Sequence, residues 1–212
     1  MAAREPEQGD ARRVPGRLPV YIAVLAAIAL GIGFALHEWS SRPLALRAGI
    51  ALPDPRPIAD FAFVDEDGRP FRRENLEGRW SLLFTGFTHC PDVCPTTLAL
   101  MAELRRRLDR DDLQFVFVSV DPERDTPEVV ARYLAHFDPA FVGATGARAE
   151  MERFTAALGL AQVRNPGVDD DYTVDHSTAL VLIDPEARIA GYFQAPHRRD
   201  ALAADLAGLP RA

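Results

Sequence analysis

The sequence contains no lysine and only two cysteines among its 212 residues. All 24 basic residues are arginines, and the 31 acidic residues outnumber them, which leaves a formal net charge of −7. Because nucleic-acid binding favours a basic surface, this balance argues against a nucleic-acid partner. Two cysteines cannot form a disulfide framework, and a bridge between Cys90 and Cys94 would add only about 2 kcal/mol of stability. A minor structural bridge is one interpretation of the pair, and a reactive or metal-binding role is the one we favour.

The N-terminal region predicts a membrane anchor followed by a linker. Residues 18–36 form an uncharged apolar run, which as a helix would span about 28 Å, close to the hydrocarbon thickness of a bilayer. A cleaved signal peptide would have a shorter apolar core and a small-residue cleavage site directly after it. Arginines occur in the tail at 1–17, so we expect a cytoplasmic N-terminus and a single-pass, uncleaved anchor in the inner membrane. The proline-rich linker at 37–57 then leads to a periplasmic domain at 58–212.

The domain at 58–212 predicts an α/β fold of the thioredoxin-like sandwich type. Strands and helices alternate first, and a hairpin and a last helix follow. The runs 81–87 and 113–120 are almost continuously apolar, which is typical of strands that are buried on both faces. Residues 165–175 are polar and acidic, and we interpret them as a loop. Its aspartates at 169–171 could steer a cationic partner or a metal ion.

The two cysteines lie in a loop between the strand at 81–87 and an amphipathic helix at 96–109. Ligand sites concentrate at this edge of the strands in open α/β sheets. Pro91 and Pro95 directly follow the cysteines, so we expect neither cysteine to be helical. Cys94 is then close to the N-cap, where the helix dipole favours a thiolate. Two thiolates suit Cu(I), Zn²⁺ or iron–sulfur chemistry, and the same pair could cycle between dithiol and disulfide.

A histidine and two aspartates are expected at the same edge of the sheet. His176 directly precedes an apolar strand, and with two thiolates it would complete an S₂N site that suits Cu(I) and tolerates Cu(II). Asp121 and Asp125 follow the strand at 113–120, which should run parallel to the strand before the cysteines. These carboxylates either support the site or contact a partner, and the alternative is that Asp125 or Thr126 caps the next helix. We interpret the other four histidines mainly as solvated residues; they are His37, His89, His136 and His197.

Three motifs, in this order along the chain, resemble those of the Sco/SenC family. They are Thr-Gly-Phe-Thr-His-Cys-Pro-Asp-Val-Cys-Pro at 85–95, Ser-Val-Asp-Pro-x-x-Asp-Thr-Pro at 119–127 and Asp-His-Ser at 175–177. The resemblance covers about residues 58–207. It implies a membrane-anchored copper protein with a thioredoxin fold that helps to assemble the Cu-A centre of cytochrome c oxidase. Carried over by motif, the resemblance implies that copper is bound by three residues and that an acidic pair supports them; they are Cys90, Cys94 and His176, with Asp121 and Asp125.

The resemblance leaves two main hypotheses for function. A metallochaperone would bind Cu(I) or Cu(II) and pass it to the oxidase subunit that carries the Cu-A site, with a periplasmic copper donor or thiol reductant as a further partner. A thiol–disulfide oxidoreductase would instead reduce the cysteines of that subunit, and a redox or copper sensor would use the same residues. Thioredoxins resemble one another in Cys-x-x-Cys and in a proline before the facing strand. Here the cysteines are one residue further apart and the stretch from His176 to Ala179 has no proline, so we favour the metallochaperone, which is not an enzyme.

Overall fold

The structure is a computed structural model that describes residues 18–40, 44–167 and 172–212. The chain divides into two units between Arg42 and Pro43, and all the predicted site residues lie in the second unit. In the first unit, helix α1 spans Leu18–Ser40 and includes the apolar run of the predicted anchor. Within the described ranges, no helix is both long enough and apolar enough to cross a membrane. The predicted tail at 1–17 lies outside the described residues.

The described part of the second unit contains ten strands, four α-helices and one 3₁₀ helix. In chain order these elements are β1 (Ile50–Pro57), β2 (Phe63–Asp65), β3 (Pro70–Phe71), the 3₁₀ helix (Arg73–Leu76), β4 (Trp80–Gly86), α2 (Val93–Leu108), β5 (Leu113–Ser119), α3 (Pro127–Leu134), β6 (Val142–Thr145), α4 (Arg148–Ala157), β7 (Gln162–Pro166), β8 (Tyr172–His176), β9 (Leu180–Ile183), β10 (Arg188–Phe193) and α5 (Arg199–Ala207). Eight strands form one mixed sheet in the order β1-β10-β9-β4-β5-β6-β2-β3, and β7 and β8 form a separate hairpin.

Strands β4 and β5 form the centre of the sheet and position the predicted site. They run parallel, in a register that pairs Gly86 with Ser119, and nearly all of their side chains are buried. The loops that follow the two strands therefore emerge at the same edge of the sheet, as expected. On the other side of β4, strand β9 runs antiparallel and pairs Leu180 with Phe84, so its first residues reach this edge too. This sheet, with a helix after each central strand, is thioredoxin-like, as the alternation of elements predicts.

The linker prediction is wrong over residues 50–57, which form β1 at the edge of the sheet. This strand pairs antiparallel with β10, and its register shifts between Ala51 and Arg56, where Pro53 and Pro55 lie. An edge strand tolerates proline because one row of its backbone groups has no partner strand. The prolines and the lack of apolar alternation therefore explain why the sequence does not predict this strand.

The loop prediction is also wrong at 165–166 and 172–175, which belong to the strands β7 and β8. The register of the hairpin places His176 opposite Gln162. Of the ten residues in the two strands, only Val174 is buried, so no apolar pattern marks the hairpin in the sequence. The acidic run at 169–171 lies outside the described residues.

Candidate metal centre

Two thiols and one imidazole converge at the edge where the loops after β4 and β5 emerge. The ligand atoms of Cys90, Cys94 and His176 all lie within 4.8 Å of one another. Cys94 Sγ and His176 Nε2 are 3.3 Å apart. Cys94 is completely buried, whereas Cys90 and His176 are half-buried, so the cluster is reached from outside through these two residues. The structure thus brings together the three residues that the sequence predicts as one site.

The turn between the cysteines decides where the two sulfurs lie. Helix α2 begins at Val93, so Cys94 lies in its first turn, contrary to the expectation that neither cysteine is helical. Pro95 is tolerated there because the N–H groups in the first turn of a helix have no intrahelical acceptor. The Cys94 N–H is one of these groups, and it donates to Cys90 Sγ over 3.4 Å. This hydrogen bond keeps the two sulfurs on the same side of the turn.

The surroundings of Cys94 favour its neutral thiol. Burial raises the pKa of Cys94 far above its ordinary value, because the charged thiolate would lose its contact with water. In the metal-free site this direction is opposite to the thiolate that the helix terminus led us to expect. A soft metal ion that binds to Cys94 must displace the thiol proton, and binding therefore releases protons to the solvent.

The imidazole of His176 is oriented with Nε2 towards the thiols. Nδ1 lies 3.0 Å from the carbonyl oxygen of Ser177, which can only accept, so we assign the proton to Nδ1 and a lone pair to Nε2. The ring packs edge-on against Phe84 and Phe87, with centroid distances of 5.9 and 5.8 Å. Burial lowers the pKa of His176, so the neutral ring is favoured at neutral pH. The orientation and the protonation state both suit a nitrogen ligand.

Asp125 holds the start of the cysteine loop and is not one of the three clustered residues. Its carboxylate is completely buried and accepts hydrogen bonds from the Thr88 N–H at 3.0 Å and the Thr88 hydroxyl at 2.6 Å. It accepts another from the Ser119 hydroxyl at 2.6 Å. Asp125 therefore ties the end of β5 to a residue two positions before Cys90. The hydroxyl of Thr126 caps α3, which confirms the capping alternative for Thr126 and not for Asp125.

Asp121 contacts the hairpin that carries His176, the third residue of the cluster. Its carboxylate is 1% exposed, accepts a hydrogen bond from the Tyr172 hydroxyl and forms an ion pair with Arg124. The Arg124 guanidinium lies 3.8 Å from the centre of the Tyr172 ring and donates to the Tyr172 carbonyl oxygen. Tyr172 is the first residue of β8, and His176 is the last. Sequence reasoning missed Tyr172 and Arg124, since no local pattern connects residues that are 48 positions apart.

Among the described side chains, the other three histidines lie outside the cluster. His89 and His136 are exposed, as expected, and the side chain of His37 lies outside the described residues. His197 is partly buried, and its Nε2–H donates to the carbonyl oxygen of Thr178 over 3.1 Å. Burial lowers the pKa of His197, so its interpretation as a solvated residue is wrong.

Comparison with known proteins agrees with this geometry. The family model described as SCO1/SenC matches residues 52–210. The chain belongs to the SCO1/SenC family. A SCO2-like protein of Rickettsia felis is 36% identical over 183 residues, which cover 82% of this chain and 89% of the relative. The structure of Bradyrhizobium japonicum ScoI with copper bound is 37% identical, with a TM-score of 0.66, and the match covers 71% of this chain and 97% of that one.

A second solved Sco structure bears on the role of the two thiols. BsSco is described by its disulfide switch and as a member of the Sco family of cytochrome c oxidase assembly proteins. It is 26% identical with a TM-score of 0.61, and the match covers 74% of this chain and 95% of that one. The SCO1/SenC match begins inside β1 and ends after α5, so the matched family domain lies within the second unit of this chain.

Proposed function

We propose that this SCO1/SenC family member is a copper metallochaperone, which binds copper through Cys90, Cys94 and His176 and delivers it to the Cu-A centre of cytochrome c oxidase. The observation that carries the proposal is the convergence of two sulfurs and one imidazole nitrogen within 4.8 Å. The copper-bound structure of the Bradyrhizobium relative supports the choice of metal. The description of the Sco family as oxidase assembly proteins supports the choice of recipient.

The donor set favours copper over hard cations. Thiolates are soft ligands and imidazole suits copper, whereas the carboxylates that hard cations prefer are engaged elsewhere. Asp121 bonds to Tyr172 and Arg124, and Asp125 bonds to Thr88. The three remaining donors match the low coordination number of Cu(I).

Because the two thiols are buried to different degrees, we expect copper to leave the site from the side of the more exposed thiol. Cys90 is half-buried and Cys94 has no exposed surface, so an incoming thiolate of the recipient reaches the site on the side of Cys90. Ligand exchange then replaces Cys90 first and Cys94 last. The rings of Phe84 and Phe87 pack edge-on against His176 and hold its imidazole in place beside Cys94.

The first experiment titrates Cu(I) against a competing chelator, on the full chain kept reduced and anaerobic in mild detergent. We expect one copper ion per chain, and His176→Ala should weaken the affinity by about tenfold or more, because even residues that only orient a ligand have effects of this size. The exposed His136→Ala is the matched control and should bind as the parent does. Unchanged affinity in His176→Ala would show that His176 is not a ligand. Delivery is then tested by mixing the loaded chain with the metal-free Cu-A subunit, separating the two proteins and measuring the copper in each.

Thiol–disulfide exchange is the second candidate, favoured by the disulfide switch of BsSco and by the hydrogen bond from the Cys94 N–H to Cys90 Sγ. In this reaction the two thiols would become a disulfide, and the recipient's disulfide would take up the two electrons and two protons. The reaction needs both cysteines but not His176. Full reductase activity towards the oxidised Cu-A subunit in His176→Ala, together with weak copper binding by the parent, would favour this candidate.

We also propose that the residues at 18–36 hold the domain on the periplasmic side of the inner membrane. The uncharged apolar run and the arginines before it support this location, as do the exposed apolar side chains along α1 from Val20 to Ile32. Alkaline phosphatase, which is active only outside the cytoplasm, should be active when fused after residue 57 and inactive when fused after residue 17. An inactive fusion after residue 57 would refute the location.

A further inference from the structure

We propose that Tyr172 is a positioning residue, which fastens the β7–β8 hairpin to the domain and thereby sets how often His176 occupies the copper site. The inference rests on the proposed role of His176 as a ligand. Asp121, Arg124 and Tyr172 together are called the latch here. The latch joins the loop after β5 to the first residue of β8.

Outside the latch, an ion pair of 2.7 Å between Arg164 of β7 and Glu123 also holds the hairpin, but few buried contacts do. In the described residues, β7 and β8 pair only with each other and not with the main sheet. Val174 is the one buried residue among the ten residues of these strands. A cavity of about 120 Å³ borders the hairpin at Val174 and Gln162, and the buried Oε1 of Gln162 has no hydrogen-bond partner within the described ranges. A segment with so few buried apolar contacts has low local stability.

The strand geometry of β8 couples the latch to the metal site. Side chains in a strand alternate between its two faces, so Tyr172, Val174 and His176 share one face. That face is turned towards the domain, because Thr173 and Asp175 between them are exposed. Tyr172 and His176 are about 13 Å apart at the ordinary rise of a strand. A contact that fixes Tyr172 therefore also fixes the direction in which His176 points.

The contacts of Tyr172 are strong for a residue at the edge of a hairpin. Its ring lies between two guanidinium groups, with ring-centre distances of 3.8 Å to Arg124 and 3.5 Å to Arg164. Its hydroxyl donates to the buried carboxylate of Asp121 over 2.5 Å. Burial and the neighbouring Asp121 raise the pKa of Tyr172 to about 12, so the hydroxyl stays a donor at neutral pH. Hydrogen bonds to a charged acceptor are roughly twice as strong as neutral ones.

The segment at 119–127 therefore supports the cysteine loop and the hairpin of His176 through two separate contacts. Asp125 bonds to Thr88 and holds the cysteine loop. Asp121 bonds to Tyr172 and holds the hairpin that carries His176. Weakening the second contact should release the imidazole and leave the two thiols in place.

The test measures how often the hairpin opens in the metal-free full chain, through alkylation of Cys94 by iodoacetamide in a Cys90→Ser background. His176 Nε2 lies 3.3 Å from Cys94 Sγ, and Cys94 has no exposed surface, so the reagent reaches this thiol when the hairpin opens. Tyr172→Phe should accelerate alkylation by about tenfold, the effect of one lost hydrogen bond to a carboxylate. Tyr192→Phe is the matched control, because its hydroxyl donates to the Leu158 carbonyl oxygen and not to the latch.

A second variant tests the partner group. Asp121→Asn should also accelerate alkylation, and the double variant with Tyr172→Phe should be no faster than the faster single variant, since both remove the same contact. Equal rates in Tyr172→Phe and the parent would overturn the latch. Equal acceleration in Tyr172→Phe and Tyr192→Phe would overturn it too, because the effect would then be a general loss of stability. A parent that binds no copper would refute the proposed function, whereas the alkylation result does not depend on copper.

Discussion

Replacement of Asp125 by alanine is expected to damage both the stability of the domain and its copper site. The buried carboxylate accepts three hydrogen bonds, two from Thr88 and one from Ser119. A hydrogen bond to a charged group contributes about 1.5–3 kcal/mol to stability, and bonds that share an acceptor are not additive. We therefore expect Asp125→Ala to lower the free energy of unfolding by about 3–5 kcal/mol. This is a large part of the roughly 5–15 kcal/mol that stabilises a typical domain.

Asp184→Ala is the control that separates site support from stability. Asp184 is also buried and accepts three hydrogen bonds, from the N–H groups of Glu186 and Arg188 and from the Arg188 side chain. It follows β9, whose last residue pairs with Ser81 at the start of β4, so it lies at the opposite end of the sheet from the cysteines. We expect a comparable loss of stability in Asp184→Ala and no change in the affinity for Cu(I).

The assay combines urea denaturation, followed by the fluorescence of the buried Trp80, with Cu(I) competition titration. Asp125→Ala should lower the affinity by about tenfold or more, because Thr88 lies two residues before Cys90. Asp125→Asn keeps the shape and one oxygen acceptor, so it should stay folded and lose about 1–2 kcal/mol. If Asp125→Ala loses no more copper affinity than Asp184→Ala, the carboxylate does not hold the cysteine loop and the reasoning is refuted.

Three further variants examine the surroundings of the site. In Gly86→Ala the added Cβ would lie 2.8 Å from Cys94 Sγ. We therefore expect overpacking to cost about 1–3 kcal/mol of stability and to weaken Cu(I) binding. An affinity for copper equal to that of the parent would contradict this expectation. Burial lowers the pKa of His197 below its ordinary value, so the unfolded chain binds a proton that the folded chain resists, and stability should fall as the pH drops below about 6.5. Urea denaturation at neutral and mildly acidic pH should show a smaller fall in His197→Gln, and an equal fall would rule out a buried neutral ring. The buried hydroxyl of Tyr133 has no hydrogen-bond partner in the described part of the chain, so Tyr133→Phe should keep or raise the melting temperature; a lower melting temperature would reveal a partner.

The features that sequence reasoning identified are those with a local pattern. The apolar runs at 81–87 and 113–120 predict β4 and β5 to within one residue at each end. Because those strands are parallel, the loops after them had to meet, which placed the cysteines and the aspartates at one edge. The histidine followed from its position directly before the strand that pairs with β4 on the other side.

The features that sequence reasoning missed depend on contacts between distant residues. The edge strand at 50–57 is held by pairing with β10, and its prolines conceal it. The hairpin of β7 and β8 buries a single residue and so lacks an apolar pattern. The bond between Tyr172 and Asp121 joins residues 51 positions apart, and only the folded chain brings them together.

The two cysteines also differ in a way that their local sequences conceal, since each is followed by a proline. Because helix α2 begins one residue before Cys94, the thiol of Cys94 lies in the core next to Gly86, whereas Cys90 stays accessible. Thiol exchange requires a thiolate as the attacking group, and the raised pKa of Cys94 favours the neutral thiol at that position. The same burial does not impair Cys94 as a metal ligand, because a soft metal ion displaces the proton. One buried ligand that holds the metal and one outer ligand that exchanges would suit the proposed transfer of copper through Cys90.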